Sequence, residues 1–180
     1  YQRLFTLPLA ATIEGPRQDM YDAPSKILIY QVPLPARLEL SMAERAAPWL
    51  ESGFYEPEDI AGRLMRWTAG QAKVKVRLKA GVDYVLKVRG QGGQPQGVEP
   101  AHTTISLDGA RLAEHTWTGG EKEEWTARFR LSGEPASGGV FKELLLETNT
   151  WRPSEVLGTR DDRYLGVLLE SLIIEEAPAS

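Results

Sequence analysis

The chain has 180 residues, 42% of them hydrophobic and 26% charged, the composition of one globular domain, or of one domain with an extended arm, and not of a disordered chain or a fibre. Lys and Arg total 21 against 25 Asp and Glu, a formal net charge of -4, which excludes the basic balance of a dedicated nucleic-acid binder. Cysteine is absent, so disulfides, thiol nucleophiles and cysteine-ligated zinc or iron–sulfur centres are excluded together.

Residues 1–35 carry Pro8, Pro16, Pro24, Pro33 and Pro35 around one β-like run, Lys26 to Val32. Proline removes ladder donors and fixes φ, so this stretch reads as an extended proline-rich arm with an edge strand. The main domain is expected over residues 36–176, followed by a tail at 177–180. Because the chain begins at Tyr1, it is expected to be an excised or processed piece of a longer protein. Ser41-Met42-Ala43-Glu44 has the spacing of a capping box, and Pro48 limits any helix there to one or two turns.

From here the chain alternates at period two. Val74, Val76 and Leu78 fall on one face and Lys73, Lys75, Arg77 and Lys79 on the other, the pattern of a half-buried strand. Tyr84, Leu86 and Val88 repeat it against Asp83, Lys87 and Arg89, and the short link Ala80-Gly81-Val82 predicts that the two strands form a hairpin. Gly90 to Gly97 reads as a flexible surface connection. Ile105 and Leu107 lead into Asp108-Gly109, a hairpin turn, with Leu112 on the return. Trp125, Ala127, Phe129 and Leu131 form a further strand, and Leu144, Leu146 and Thr148 another. Pro153 to Gly158 predicts a single helical turn, proline early and glycine late. Tyr164 to Ile174 is apolar at both parities for part of its length, as in a central strand covered on both sides. Its apolar stretches, 165–169 and 172–174, fall far short of the ~18 residues of a membrane-spanning helix.

The fold class that follows is all-β, an antiparallel β-sandwich of jelly-roll type with one or two short helical turns. Its expected core includes Val74, Val76, Leu78, Leu86, Val88, Trp125, Phe129, Leu144, Leu146, Val167 and Leu169.

Organised chemistry is sparse. His102 and His115 are the two histidines, and neither lies in a nucleophile or metal motif. The glycine-rich loop matches no phosphate-binding pattern and no helix follows it, so no cofactor and no metal are expected. Glu56, Glu58 and Asp59 cluster in one turn and Asp161 and Asp162 in another. A glycosidase would need two such carboxylates about 5–10 Å apart across a sugar, whereas acids in loops commonly form turns or ion pairs. Trp67 and Trp151 adjoin Arg66 and Arg152, where aromatic and cation either meet a polar ligand together or stack on each other.

Gly53-Phe54-Tyr55-Glu56-Pro57-Glu58, Arg66-Trp67, Trp151-Arg152-Pro153 and Asp161-Asp162-Arg163-Tyr164-Leu165-Gly166-Val167 together resemble the pattern of a jelly-roll domain attached to bacterial multi-spanning membrane glycosyltransferases and related polysaccharide-biosynthesis proteins. The resemblance covers roughly residues 38–176, and the Gly90–Gly97 insertion and proline-rich arm depart from it. It implies a carbohydrate-binding-module-like domain without catalytic residues. It further implies an extracytoplasmic location, tethered to the membrane outside this chain, with a carbohydrate and an upstream membrane-embedded transferase domain as partners. Trp67, Arg66, Trp151 and Tyr55 are the candidate ligand-binding residues. Glu58, Arg66, Asp161 and Arg163 are the candidate structural clamp, since a guanidinium just before a buried run needs partners to offset desolvation.

Two further readings stand beside this one, a structural or protein-interaction domain without glycan affinity and a glycan hydrolase using the loop carboxylates. The outward lysines and arginines of the expected hairpin would form a basic face toward an anionic membrane surface, or would pair across strands with acids such as Glu170 or Glu147.

Overall fold

The computed structural model describes residues 9–14, 26–30, 34–43, 49–134 and 139–178, and the chain divides into two compact units, Tyr1–Pro35 and Ala36–Ser180. In the first unit β1 (Leu9–Glu14) pairs antiparallel with β2 (Lys26–Tyr30), Ile13 lying opposite Ile27. The sequence points to β2 but not to β1, because Ala10 and Ala11 have weak strand preference.

The second unit runs β3 (Arg37–Ser41), β4 (Leu50–Phe54), β5 (Glu58–Ile60), β6 (Arg63–Leu78), β7 (Asp83–Gln91), β8 (His102–Leu107), β9 (Ala110–Thr116), β10 (Glu123–Arg130), β11 (Val140–Thr148), α1 (Pro153–Leu157) and β12 (Leu168–Glu176). One layer is ordered β10-β7-β12-β3 and the other β4-β6-β11-β8-β9, with every pairing antiparallel. This is the expected jelly-roll type of sandwich. The long strand β6 serves both layers. Its Arg66 and Trp67 pair with Leu169 and Leu168 of β12, and its stretch from Gln71 to Leu78 pairs with β11. At the two ends of the path β9 meets β10 through side chains, His115 stacking on Trp125 with ring centroids 5.0 Å apart.

The alternating apolar positions face inward from both layers. Val74, Val76, Leu86, Val88, Leu144, Leu146, Val167 and Leu169 are almost wholly buried, with Leu78 beside them. Trp125 and Phe129, near the β9–β10 seam, are half-buried against that core. Trp117 is fully buried, and its Nε1 donates to Thr103 Oγ1 at 2.9 Å, which in turn bonds Thr148 Oγ1 at 3.0 Å. The indole N–H is thereby satisfied inside the core, as most buried donors are.

The helical turn α1 starts on proline and ends at Gly158 with φ 64°, as the residue order requires. At the other expected turn, Ser41 closes β3, Met42 and Ala43 form a turn, and Glu44 lies outside the described residues. Asp108 and Gly109, with φ 47° and 80°, close the β8–β9 hairpin.

Two expectations are corrected. No hydrogen-bonded ladder joins β6 to β7; Ala80-Gly81-Val82 instead carries the chain from one layer to the other, anchored where Gly81 N donates to Leu131 O at 2.7 Å. Both strands are apolar toward the same core, so alternation reads identically for a hairpin and for a crossing between layers. Their cations therefore do not form one face. Lys73, Lys75 and Arg77 lie outside the second layer and Lys87 and Arg89 outside the first. Most are paired, Lys73 with Glu143, Lys75 with Glu51, Lys79 with Glu176, Lys87 with Glu175 and Arg89 with Glu124.

The second correction concerns the first half of the glycine-rich loop, which is packed, while Gln96 and Gly97 are exposed as a surface connection would be. Gly90 and Gln91 belong to β7, Gly93 lies against the Trp67 ring, and Gln94 Nε2 donates to Gly166 O at 3.1 Å. Glycine-rich composition suits a flexible connection, but at Gly90 and Gly93 the missing side chain serves close packing.

The tight β5–β6 hairpin turns through Ala61 and Gly62 at φ 53° and 80°. An alanine in the left-handed region costs about 1 kcal/mol, and asparagine tolerates that conformation better. Ala61→Asn is accordingly expected to stabilise the protein by about 0.5 kcal/mol, measurable as a raised urea midpoint at unchanged slope.

Candidate functional site

The four motif segments converge at one end of the sandwich, and their glycines are set by backbone approach. Gly53 has φ 77°, and a Cβ there would fall 1.9 Å from the carbonyl oxygen of Gln71 on β6. Gly166 N donates to Thr68 O at 2.7 Å, and a Cβ would stand 2.5 Å from Thr68 Oγ1, the atom that accepts a hydrogen bond from Val167 N at 3.0 Å. Only glycine lets these segments lie so close to β6.

Beneath this end is a second small core. Trp67 and Trp151 meet edge to face, with centroids 6.2 Å apart, among Met65, Leu165 and Leu168. Each tryptophan is 8% exposed, so the two indoles present their faces to protein. Arg66 is 4% exposed; its Nε donates to Met42 O at 3.0 Å and its Nη1 to Tyr55 O at 2.9 Å. It thereby ties the turn after β3 and the end of β4 to β6. Tyr55 is half-buried, and its hydroxyl donates to Tyr164 O at 3.1 Å.

Arg163 joins the Glu58 strand to the Asp161 loop. Its Nε and Nη2 donate to Asp161 at 2.9 and 2.6 Å, its Nη1 donates to Glu58 Oε1 at 2.6 Å, and its guanidinium lies 5.2 Å from the centre of the Tyr55 ring. The hydrogen bonds from Arg163 hold the Asp161 carboxyl below the usual carboxylate range, and the same bonds, with those to Glu58, push the guanidinium still higher. Both acids are committed to one cation, and Asp161 is held ionised, the opposite of what a general acid requires.

Solvent meets a different set of groups. Tyr164 is 53% exposed, with the Arg152 guanidinium 4.3 Å from its ring centre. Arg152 also donates from Nη1 to Glu155 at 2.7 Å and from Nη2 to the Tyr164 hydroxyl at 2.5 Å, while Ser154 Oγ donates to Asp162 at 2.6 Å. Val156 and Leu157 are exposed on α1 beside them. The other largely exposed aromatic ring among the described residues is Phe141 on β11. Neither ring belongs to the expected ligand-binding set, which centres on tryptophans. Phase would have found Phe141, which falls opposite in parity to the buried Leu144 and Leu146.

Among the described residues no three metal-ligating side chains cluster, and no helix is long and apolar enough to cross a membrane. His102 Nδ1 lies 2.9 Å from Thr116 Oγ1 and His115 Nε2 lies 3.0 Å from Glu123 Oε2, both near β-strand ends.

No protein-family model matches the chain, and no curated protein sequence matches it. Solved structures do. The chain is similar to the CBM22-1 xylan-binding domain of Paenibacillus barcinonensis Xyn10C, with TM-score 0.53 and 15% identity over 84% of this chain and 100% of that one. It is likewise similar to the CBM22-1-GH10 modules of Clostridium thermocellum xylanase 10B, solved with xylohexaose, with TM-score 0.52 and 14% identity. That match covers 77% of this chain and 28% of that one. The ectodomain of Arabidopsis thaliana ANX2 gives TM-score 0.50 at 12% identity, over 74% of this chain and 43% of that one. The chain has the jelly-roll fold of carbohydrate-binding modules. It spans the whole of an isolated module and less than half of the multi-module chains.

Proposed function

We propose that this chain is a non-catalytic carbohydrate-binding module that contacts glycan through the motif end of the sandwich. The observation that carries this is the exposed Tyr164 ring with the Arg152 guanidinium against it. An aromatic surface of this kind receives the apolar face of a sugar ring, and Glu155, Asp162 and the tyrosine hydroxyl border it with hydrogen-bonding groups. Trp67, Trp151, Arg66 and Tyr55 hold this surface in place from below. The fold shared with xylan-binding domains supports the reading, as does the commitment of Glu58 and Asp161 to Arg163. The resemblance of the motif segments extends it, to a module beside a membrane-embedded glycosyltransferase on the extracytoplasmic side.

The test is titration calorimetry of the purified chain against xylohexaose and a panel of neutral and acidic oligosaccharides. Tyr164→Ala is expected to weaken binding about tenfold, as loss of an aromatic anchor does, with an unchanged melting temperature. Binding that ignores Tyr164 would move the contact elsewhere on the module, and absence of binding across the panel would overturn the function. The exposed Val156 and Leu157 favour one alternative in that event, a protein-contact face built on α1.

A further inference from the structure

The outer face of the second layer carries a feature unrelated to the motif end. Phe141 on β11 is 55% exposed and lies directly across from Arg77 on β6. Lys75 Nζ stands 5.4 Å and Arg77 Cζ 5.6 Å from the centre of its ring, both within cation–π range. The neighbouring cation Lys73 is closely paired, with Glu143 at 3.0 Å, and Lys75 has a looser partner in Glu51 at 3.6 Å. Arg77 forms no ion pair among the described residues, and its Nε is buried without a hydrogen-bond partner. A phenyl ring that shows more than half its surface to water therefore sits beside an arginine whose donors lack a carboxylate.

A sugar acid satisfies both halves of this arrangement. The C–H face of a pyranose ring stacks on an aromatic ring, and a carboxylate accepts paired hydrogen bonds from a guanidinium, with Lys75 as a second positive charge. A neutral sugar would use the ring alone, and a lipid phosphate would use the cations alone. We propose that this face binds acidic glycans, with a uronate residue stacked on Phe141 and its carboxylate held by Arg77 and Lys75. The proposal rests on the glycan-binding reading above and adds a ligand class and a second contact face to it.

The experiment titrates the chain with oligogalacturonate and with glucuronate-bearing xylo-oligosaccharide, each as the free acid and as its methyl ester, with xylohexaose as the neutral reference. The free acids are expected to bind at least about tenfold more tightly than their esters, the scale of one charge-assisted hydrogen bond, and to weaken as salt is raised. Arg77→Gln is expected to remove most of that difference, leaving the part due to Lys75, while xylohexaose affinity stays unchanged. Phe141→Ala, at an exposed position that does not compromise folding, should weaken the acids about tenfold. Equal affinity for acid and ester, or acid binding indifferent to Arg77→Gln, overturns this proposal and leaves the glycan-binding function standing. Failure of every oligosaccharide to bind overturns both. Binding to phosphatidylserine vesicles without binding to the acids would show the cations to be a membrane contact instead, and would also overturn it.

Discussion

Replacing Gly53 with alanine is expected to destabilise the protein by about 3 kcal/mol or more, the range in which backbone strain and steric conflict add. Two costs coincide at this position. The backbone holds φ 77°, and the added Cβ would lie 1.9 Å from Gln71 O and 2.6 Å from the Ala72 Cα. These are backbone atoms of the central strand β6, which cannot rotate aside as a flexible side chain would. Relief requires β4 to lift away from β6, exposing the edge of the core at Leu50 and Phe54, which pack against it. Chemical denaturation measures the loss directly. Gly120→Ala is the control, since a Cβ there meets nothing within 4 Å, and it should stay within about 0.5 kcal/mol of the parent, as surface changes do. Equal stability of the two variants would show that the close approach of β4 and β6 is not what the motif glycine is for.

Arg163→Ala comes next in size. Breaking a fully buried ion pair costs 3–5 kcal/mol, but Arg163 and Glu58 are each 34% exposed, and solvent screening reduces the expected loss to about 2 kcal/mol. For a domain of this length that corresponds to roughly 4–8 °C in melting temperature. Arg163→Lys should recover only part of it, because an ammonium cannot serve two carboxylates through a planar fork.

Acid gives an independent readout of the same clamp. The folded-state pKa of Asp161 is depressed by its hydrogen bonds from Arg163, so its contribution is present above the unfolded value, about 3.9, and is withdrawn as pH falls through the folded value. The parent protein should therefore lose stability below about pH 4 more steeply than Arg163→Ala, in which the aspartate has lost its cation. If Arg163→Ala keeps its melting temperature and loses glycan binding, the cluster is a ligand contact and not a clamp.

The motif segments illustrate how a sequence pattern and its physical cause come apart. Gly53, Gly166 and Arg66 recur in it as residues that let backbone segments approach β6 or that saturate buried carbonyls. Trp67 and Trp151 belong to a small core under the same end. A tryptophan beside an arginine looks the same in sequence whether it faces a ligand or a neighbouring indole. The distinction depends on what stands over the ring, and here that is Gly93, from a loop more than twenty residues away along the chain.

What the sequence determined by itself is the local order: the alternation that turns Val74, Val76 and Leu78 inward, the Asp108-Gly109 turn, the proline and glycine that bound α1, and hence an all-β sandwich. These depend on side-chain period and backbone preference, which act over a few residues. Tertiary structure alone decided which strands pair and which rings next to loops stay exposed. Alternation specifies a face but not a partner, so β6 and β7 satisfy their pattern in opposite layers as well as they would in one hairpin, and the lysines of the two strands are separated by the thickness of the core. The same logic left Tyr164 on the surface and buried Trp67 and Trp151, because exposure outside a regular strand pattern is set by the neighbours that long-range pairing brings to each ring.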